Sequence, residues 1–333
     1  MKLFRKLGID LGTANSVVWE AGVGIVLDEP TVVAVGIEDR KVLAVGNEAK
    51  LMLGKTPEYI EVRRPLQDGV VADYEVTEAM LKYFLRQVMG AGWFIGPEVM
   101  VCVPAGVTQV EQRAVLDATL SAGAKKAYLI DEPLAAAIGA KIPVSESFGN
   151  MIVDIGGGAT EAAIIALGGV VTHKSLRVGG NKLDQAIIEY VRKKHNLVIG
   201  ELTAEMVKIK IGSATKLKRP EMMEISGRDT VYGLPKSLMM SSDEVYEAII
   251  EVLRSMVGVI RETLEITPPE LVADIADRGI VLSGGSVQLR NLNKLVTSEI
   301  GVSAHVAIEP QFCVIRGTGI AIENLEVYRR ALR

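Results

Sequence analysis

The chain is poor in the residues that build disulfides, zinc sites and aromatic cores. Its 333 residues include only 2 cysteines and 3 histidines, and 5% are aromatic. Cys102 lies inside an apolar run, so we expect it and Cys313 to be buried, reduced thiols. His173, His195 and His305 stand at no metal-ligand spacing from each other or from a cysteine, which argues against a zinc site.

The chain also lacks an excess of positive charge and a long apolar run. Its 37 basic and 41 acidic residues leave a formal net charge of −4, so we expect no direct nucleic-acid partner. The longest apolar run, residues 162–171, is too short to cross a bilayer and contains Gly168-Gly169, a predicted hairpin turn. Because no apolar stretch follows the basic first residues, we expect no signal peptide and a cytoplasmic location.

A short pattern occurs twice in the chain: an apolar strand ends in Asp and continues into a glycine-rich turn. It reads GIDLGTAN from Gly8 and VDIGGGAT from Val153, and apolar residues follow each turn. A chain of 333 residues is long enough for two core-forming domains. We therefore interpret the repeat as two related halves that face one ligand.

The chemistry of these turns suits a phosphate group. Glycine lets the backbone approach a ligand closely and point successive N–H groups into one concavity. Asp10 and Asp154 would repel phosphate unless a cation lay between them, and Mg²⁺ is held by one or two carboxylates, waters and phosphate oxygens. The two aspartates are therefore predicted to flank a metal-bound triphosphate. Alternatively, both are ordinary strand-to-strand turns, in which Asp and Gly are common for local reasons.

Periodicity and capping patterns predict a mixed α/β chain. A third glycine-rich turn, residues 283–286, follows a predicted strand and precedes a helix expected from about Gln288; it suits the close approach of a flat ligand such as adenine. Two capping boxes are predicted to open helices, Thr108 with Glu111 and Ser241 with Glu244. Further strands are predicted over residues 6–10, 16–19, 24–26, 32–36, 42–45 and 98–103, and further helices over residues 76–89, 134–140, 181–194 and 204–211.

These pieces, in this order, resemble the actin-like ATPase superfamily, and within it the bacterial MreB family of actin homologues. Besides the two turns, the matching segments are residues 29–34, 54–57, 64–74 and 132–139. The resemblance implies an α/β class and an actin-like ATPase fold, in which two similar ribonuclease-H-like halves enclose a nucleotide cleft and each carries a smaller inserted subdomain. The implied subdomains are IA (residues 1–32, 70–146 and 313–333), IB (33–69), IIA (147–181 and 244–312) and IIB (182–243).

The resemblance also implies that ATP and Mg²⁺ occupy the cleft, with Asp10 and Asp154 holding the metal through water. Glu132 matches the family's catalytic glutamate, which orients the water that attacks the γ-phosphoryl group. By position alone, Glu132 is equally well an acid that favours the dipole at a helix start. The implied nucleotide-binding residues are Asp10, Gly12, Thr13, Ala14, Asn15, Asp154, Gly156, Gly157, Gly158, Ala159, Glu205, Lys208, Gly284, Gly285, Ser286 and Val287. By spacing alone, Glu205 and Lys208 look like an exposed helix pair.

The chain departs from the family pattern at two of these positions. The family commonly has threonine where this chain has Ala159, and the threonine hydroxyl helps to hold the attacking water. Alanine cannot form that hydrogen bond, so we expect slow hydrolysis with ATP binding retained. The family usually has a third glycine where this chain has Ser286, which would alter the fit of the nucleotide.

A loop bracketed by glycines, residues 90–97, carries Trp93, Phe94 and Ile95. Exposed apolar clusters usually mark an interface, and in the resembled family an apolar loop at this place inserts into the inner face of the cytoplasmic membrane. The alternative is that the loop folds back onto the core. Basic and apolar residues at the N-terminus would assist binding to anionic lipid.

The resemblance implies a cytoskeletal ATPase that polymerises with itself into membrane-associated filaments and organises cell-wall synthesis for rod cell shape. Its implied partners are the inner face of the membrane and the cell-wall elongation machinery, such as RodZ, MreC and MreD. One alternative is an actin-like filament that positions plasmids or organelles. The other is a small-molecule kinase that uses the same cleft.

Overall fold

The computed structural model describes residues 5–67, 69–90 and 95–328, which form an α/β protein with two large sheets. Its strands are β1 (Lys6–Leu11), β2 (Asn15–Glu20), β3 (Gly24–Pro30), β4 (Val33–Gly36), β5 (Val42–Val45), β6 (Ile60–Arg63), β7 (Leu66–Gln67), β8 (Val70–Val71), β9 (Glu98–Val103), β10 (Lys126–Asp131), β11 (Asn150–Ile155), β12 (Thr160–Ala166), β13 (Gly169–Leu176), β14 (Leu197–Val198), β15 (Met222–Asp229), β16 (Pro235–Ser241), β17 (Ile280–Ser283) and β18 (Ala304–Val306). Its helices are α1 (Asn47–Met52), α2 (Tyr74–Met89), α3 (Gln109–Ser121), α4 (Glu132–Gly139), α5 (Gly180–His195), α6 (Glu201–Ile211), α7 (Ser242–Glu265), α8 (Pro269–Arg278), α9 (Leu292–Ile300), α10 (Cys313–Glu323) and α11 (Leu325–Tyr328).

The two large sheets have the same topology. In the first, the order is β10-β9-β1-β2-β3; in the second, it is β13-β12-β11-β17-β18. Each begins with an antiparallel meander of three strands. A later strand then pairs in parallel with the first strand, and one further strand pairs in parallel with that later strand. The repeat seen in the two glycine-rich turns therefore extends over a whole five-stranded sheet.

Besides the two-stranded sheet of β7 and β8, two three-stranded sheets lie apart from these. Strands β5, β4 and β6 form one, and β14, β15 and β16 form the other. The sequence analysis predicted neither β15 nor β16. Exposed residues alternate with half-buried or buried ones along β15, whereas the first three residues of β16 are all exposed. Only Ile225, Asp229 and Met240 of these two strands are buried, so the sheet covers little core.

The helix starts follow local chemistry. Both predicted capping boxes are present, at Thr108 for α3 and at Ser241 for α7, with each Ser or Thr hydroxyl accepting from the backbone N–H three residues on. The prediction that a helix begins at about Gln288 is wrong. Residues Gly285–Gln288 form a single 3₁₀ turn, and α9 begins only at Leu292. The carbonyl and hydroxyl contacts of this turn hold it in the tighter conformation.

Each half has its own apolar core, and a further apolar core joins the two halves. It contains residues from both large sheets together with the small-residue helices α4 and α10. These helices approach so closely that a Cβ on Gly317 would overlap the backbone of Ala135, and one on Gly139 would overlap that of Cys313. The two predicted free thiols, Cys102 and Cys313, are confirmed as buried and unbridged.

This close packing predicts opposite effects for two helical glycines. Gly317→Ala should destabilise the protein by about 1–3 kcal/mol, because the new methyl group meets backbone that cannot move aside. Gly258→Ala, in α7, meets no atom within 4 Å and should stabilise by about 0.5–1 kcal/mol through helix propensity. Urea unfolding of both variants measures the difference, and a stable Gly317→Ala variant would contradict the packing argument.

Candidate functional site

A cavity of about 390 Å³ lies between the two halves. It collects residues from the three glycine-rich turns, which are far apart in the chain. Every predicted nucleotide-binding residue lines it except Val287, whose side chain is 2% exposed and belongs to the core of the second half. Glu132 also lines the cavity. The cavity therefore brings together residues that the sequence analysis named and others that it did not.

The first two turns touch each other across the cleft. A Cβ on Gly157 would lie 2.6 Å from the Cβ of Ala14, and one on Gly158 would lie 2.5 Å from the Oγ1 of Thr13. Contacts that short do not occur between real side-chain atoms, so only glycine fits at these positions. The Thr13 hydroxyl also accepts a hydrogen bond from the Gly69 N–H at 3.0 Å. The two halves thus meet turn to turn.

Hydrogen bonds from the end of β3 and from Thr31, just after it, hold the first turn in place. The Thr31 hydroxyl donates to the Gly12 carbonyl at 2.6 Å, and the Thr31 N–H donates to the Ala14 carbonyl at 2.9 Å. The Asn15 amide donates to Asp28 Oδ1 at 3.3 Å. These contacts occupy carbonyl oxygens on the outer side of the turn.

The second turn is held by the start of α5 and by the third turn. The N–H groups of Gly180 and Asn181 donate to the carbonyls of Gly156 and Gly157 at 3.0 and 2.9 Å. The Ser286 hydroxyl donates to the Gly156 carbonyl at 2.7 Å. Glycine cannot make this last bond, so Ser286 ties the third turn to the second in a way that the family's usual residue cannot.

Two carboxylates lie at the base of the cleft. Burial, with a smaller contribution from the nearby Asp154 charge, raises the pKa of Asp10 to about 7. Burial also raises the pKa of Asp154 to about 6, although the Ser283 hydroxyl that donates to its Oδ1 at 2.7 Å lowers it. Both shifts show that a negative charge is poorly stabilised here by the protein alone.

The acid pair fits a hydrated divalent cation. Among the residues that the structure describes, no three or more His, Cys, Asp or Glu side chains come together as a metal cage. Two carboxylates therefore need ligands from elsewhere, and Mg²⁺ typically takes them from water and from nucleotide phosphates. A cation between Asp10 and Asp154 would also relieve the repulsion that raises the pKa of Asp10.

Glu132 is the first residue of α4 and extends into the same cavity. Burial and then the charges of Glu161, Asp10 and Asp154 raise its pKa well above the usual value. The two interpretations of Glu132 are therefore compatible, because it is a helix-start acid whose side chain also lines the cleft. Its carboxylate is buried beside other acids, whereas the acid at an ordinary helix start is exposed to solvent.

Glu161 is a cleft residue that the sequence analysis missed. It lies in β12, is 3% exposed and lines the cavity. Burial and the charge of Asp154 raise its pKa to about 8, although the nearby Ser175 hydroxyl and Ala105 N–H lower it. The available signal was a glutamate inside a strand that is otherwise buried and almost wholly apolar.

Glu205 and Lys208 do not pair with each other as an exposed helix pair would. Lys208 Nζ donates to Asp184 Oδ2 at 2.8 Å and to the Gly180 carbonyl at 3.1 Å. Glu205 accepts from Lys50 Nζ at 3.1 Å, and Glu201, one turn earlier in α6, lies 3.4 Å from Arg64. Lys50 and Arg64 belong to the first half, so two ion pairs join the halves above the cavity.

The membrane prediction falls partly on residues that the structure does not describe. Trp93 and Phe94 lie outside the described residues, whereas Ile95 is described and is 52% exposed. In the described part of the chain, no helix combines the length and apolar character needed to cross a bilayer.

The sequence is similar to a known protein family over almost its whole length. The family model described as MreB/Mbl protein matches residues 4–330. The chain belongs to the MreB/Mbl family. The cell shape-determining protein MreB of Pasteurella multocida is 49% identical over 329 residues, which cover 97% of this chain and 94% of the relative. The cell shape-determining protein Mbl of Bacillus cereus is 46% identical over 330 residues, which cover 99% of each chain.

Solved structures agree with this assignment. The crystal structure of MreB 5 of Spiroplasma citri bound to AMPPNP matches this MreB/Mbl chain with a TM-score of 0.94 at 35% identity and covers 99% of both chains. The MamK double helical filament has a TM-score of 0.81 at 24% identity, covering 96% of this chain and 98% of that one, and supports the fold alone. The predicted family and the predicted actin-like fold are both confirmed.

The buried acids predict how the stability of the metal-free MreB/Mbl protein depends on pH. The pKa values of Asp10, Asp154 and Glu161 are raised to about 7, 6 and 8. An acid with a raised pKa binds its proton more tightly in the folded protein, so its contribution to stability is lost as the pH rises through the folded pKa. The melting temperature in EDTA should therefore fall as the pH rises from about 5 to about 9.

A matched variant separates these acids from the rest of the protein. Asp10→Asn combined with Asp154→Asn removes two of the raised pKa values, so its melting temperature should fall less steeply over the same pH range. Differential scanning fluorimetry in EDTA measures both slopes. Equal slopes would contradict the assignment of the pH dependence to the cleft.

Proposed function

We propose that this MreB/Mbl protein binds ATP in the cleft and polymerises into membrane-associated filaments that organise cell-wall synthesis for rod shape. The observation that carries the proposal is the meeting of two glycine-rich turns, one from each half, beside the acid pair Asp10 and Asp154. The AMPPNP-bound MreB 5 structure supports a nucleotide at this place. A nucleotide bound here would contact both halves at once.

Different groups of cleft residues would bind different parts of the nucleotide. The backbone N–H groups of residues 12–15 and 156–159 would bind phosphate oxygens, and Asp10 and Asp154 would hold Mg²⁺ through water. Bound Mg²⁺ would supply positive charge against the phosphates. Glu205, Lys208, Gly284, Gly285 and Ser286 would contact the adenosine, with Val287 contributing backbone only because its side chain is buried.

Hydrolysis follows from the position of Glu132. Phosphoryl transfer depends on positioning and charge stabilisation more than on covalent help from the protein. Glu132 extends into the cleft from the start of α4, where it would orient the attacking water. Ala159 also lines the cavity but offers only a methyl group. We therefore infer slow hydrolysis with ATP binding retained.

Closure of the cleft would couple the nucleotide to assembly. We assign residues 33–69 to subdomain IB and residues 182–243 to subdomain IIB, with IA and IIA divided as the resemblance implies. The ion pairs of Lys50 with Glu205 and of Arg64 with Glu201 join IB to IIB. ATP would favour this closed, polymerising form, and hydrolysis would bias disassembly. The membrane and the elongation proteins RodZ, MreC and MreD are the proposed partners.

Electron microscopy with and without lipid tests the filament and its membrane contact together. With ATP and Mg²⁺ the purified protein should form filaments. With vesicles containing anionic lipid these should lie on the membrane, because the sequence predicts that the apolar residues Trp93, Phe94 and Ile95 lie in a loop. The variant Trp93→Ser with Phe94→Ser should still form filaments but should lose most co-sedimentation with vesicles.

The outcomes of this experiment separate the proposed function from its alternatives. Undiminished vesicle binding by the variant would contradict the role of the loop. Filaments that never bind vesicles would favour a filament that positions plasmids or organelles. ATP turnover that a sugar stimulates, with no filaments, would favour a kinase.

Ala159→Thr tests the inferred slow hydrolysis. The added hydroxyl can hold the attacking water, so phosphate release should rise by up to about a hundredfold while ATP affinity stays within about threefold. A coupled phosphate assay and nucleotide titration measure the two quantities. Ala159→Ser, which also supplies a hydroxyl, should share the increase, whereas an unchanged release rate in both variants would refute the explanation.

A further inference from the structure

Glu161 is a buried carboxylate to which the proposed nucleotide contacts assign no role. Its side chain is 3% exposed, and among the described residues neither of its carboxylate oxygens accepts a hydrogen bond of normal geometry, although the Ser175 hydroxyl and the Ala105 N–H lie nearby. Burying an acid in this way is costly unless something pairs with it. Such a group is retained where a ligand completes its hydrogen bonds.

The internal repeat shows that the fold itself does not need an acid at this position. In the second sheet Asp154 pairs with Glu161 across β11 and β12, and in the first sheet Asp10 pairs with Val17 across β1 and β2. Val17 is 4% exposed and lines the same cavity. The position in the first half that is equivalent to Glu161 is therefore occupied by an apolar residue.

The carboxylate of Glu161 faces the catalytic side of the cleft. The Thr160 hydroxyl donates to the Val178 carbonyl at 2.7 Å, on the other face of β12. Because cross-strand partners point to the same face of a sheet, Glu161 lies on the same face as Asp154. Asp154, Ala159 and Glu161 all line the cavity. Glu132 reaches this place from the other half, and Glu161 is the nearby charge that acts on it most strongly.

We propose that Glu161 accepts a hydrogen bond from the attacking water and, with Glu132, holds it in line with the γ-phosphorus. This rests on the proposed ATP site. The water oxygen forms a bond to the γ-phosphorus as the bond from that phosphorus to the β–γ bridging oxygen breaks. The electron pair of the broken bond stays with ADP. One water proton remains on the inorganic phosphate and the other passes to solvent.

The proposal explains why the protein would still hydrolyse ATP, although slowly, when Ala159 offers no hydroxyl. A threonine there would hold the water through a hydroxyl, which alanine lacks. Glu161, two residues further along the chain and in the lining of the same cavity, supplies an acceptor for the same water. It is therefore a water-holding residue specific to the reacting end of the nucleotide, and it should contribute little to binding of the ground-state triphosphate.

Glu161→Leu tests the proposal because leucine is apolar and similar in volume. The melting temperature of the nucleotide-free variant should rise by about 3 °C or more, since an unpaired buried acid is removed. Its affinity for AMPPNP should stay within about threefold, whereas its affinity for ADP with aluminium fluoride, which mimics the phosphoryl group in transfer, should fall at least about tenfold. Phosphate release should fall by a similar factor.

Two further variants control for fold and chemistry. Glu161→Gln keeps an acceptor oxygen and should recover part of the affinity for ADP with aluminium fluoride. Asp229→Asn removes a buried acid that is fully partnered, by Lys236 and by the N–H groups of Val231 and Tyr232. It should lower the melting temperature and leave both nucleotide affinities unchanged.

The ratio of the two affinities decides the outcome. If Glu161→Leu binds AMPPNP and ADP with aluminium fluoride in the wild-type ratio, the proposal is overturned whatever the melting temperature does. If the wild-type protein binds neither compound, the proposed ATP site is refuted, and so is the role proposed for Glu161, which depends on it. A raised melting temperature with a selective loss of the aluminium fluoride complex supports the proposal.

Discussion

The close approach of backbone to backbone between the two halves is the constraint on which the cleft depends. Gly157 and Gly158 leave room for Ala14 and Thr13, and Gly317 in α10 leaves room for α4 below them. Because tightly packed seams have few alternative arrangements, the packing of α4 against α10 fixes how the two sheets lie against each other. A nucleotide between the turns would contact both halves across this seam.

Electrostatics supplies the second constraint. Asp10, Asp154, Glu132 and Glu161 converge on one cavity, and the pKa of each is raised by burial and by neighbouring acids or by burial alone. Such a cluster opposes both phosphate and folding until a cation or a proton reduces its charge. The same acids thus make the cleft dependent on its ligand and leave the empty protein less stable.

Much of this could be predicted from sequence because the signals are local. The glycine-rich turns, the capping boxes at Thr108 and Ser241, and the burial of Cys102 follow from short patterns, and they are present in the structure. The residue Glu161 was missed because a single acid in an apolar strand has no local motif; its meaning depends on the register with Asp154 and on α4 from the other half. The start of α9 was misplaced because the Ser286 contact is not local.

The sequence by itself determined that two related halves exist, that each presents an Asp beside a glycine-rich turn, and that one turn carries Ala159. Those properties are covalent and follow from residue type and order. Only the tertiary structure decided which side chains face the cleft and which partners they have: Val287 turns into the core, Lys208 pairs with Asp184, and Glu161 remains without a hydrogen bond among the described residues. The direction in which a side chain points and the partner that it contacts depend on strand register and helix packing, which bring together residues that are distant in the chain.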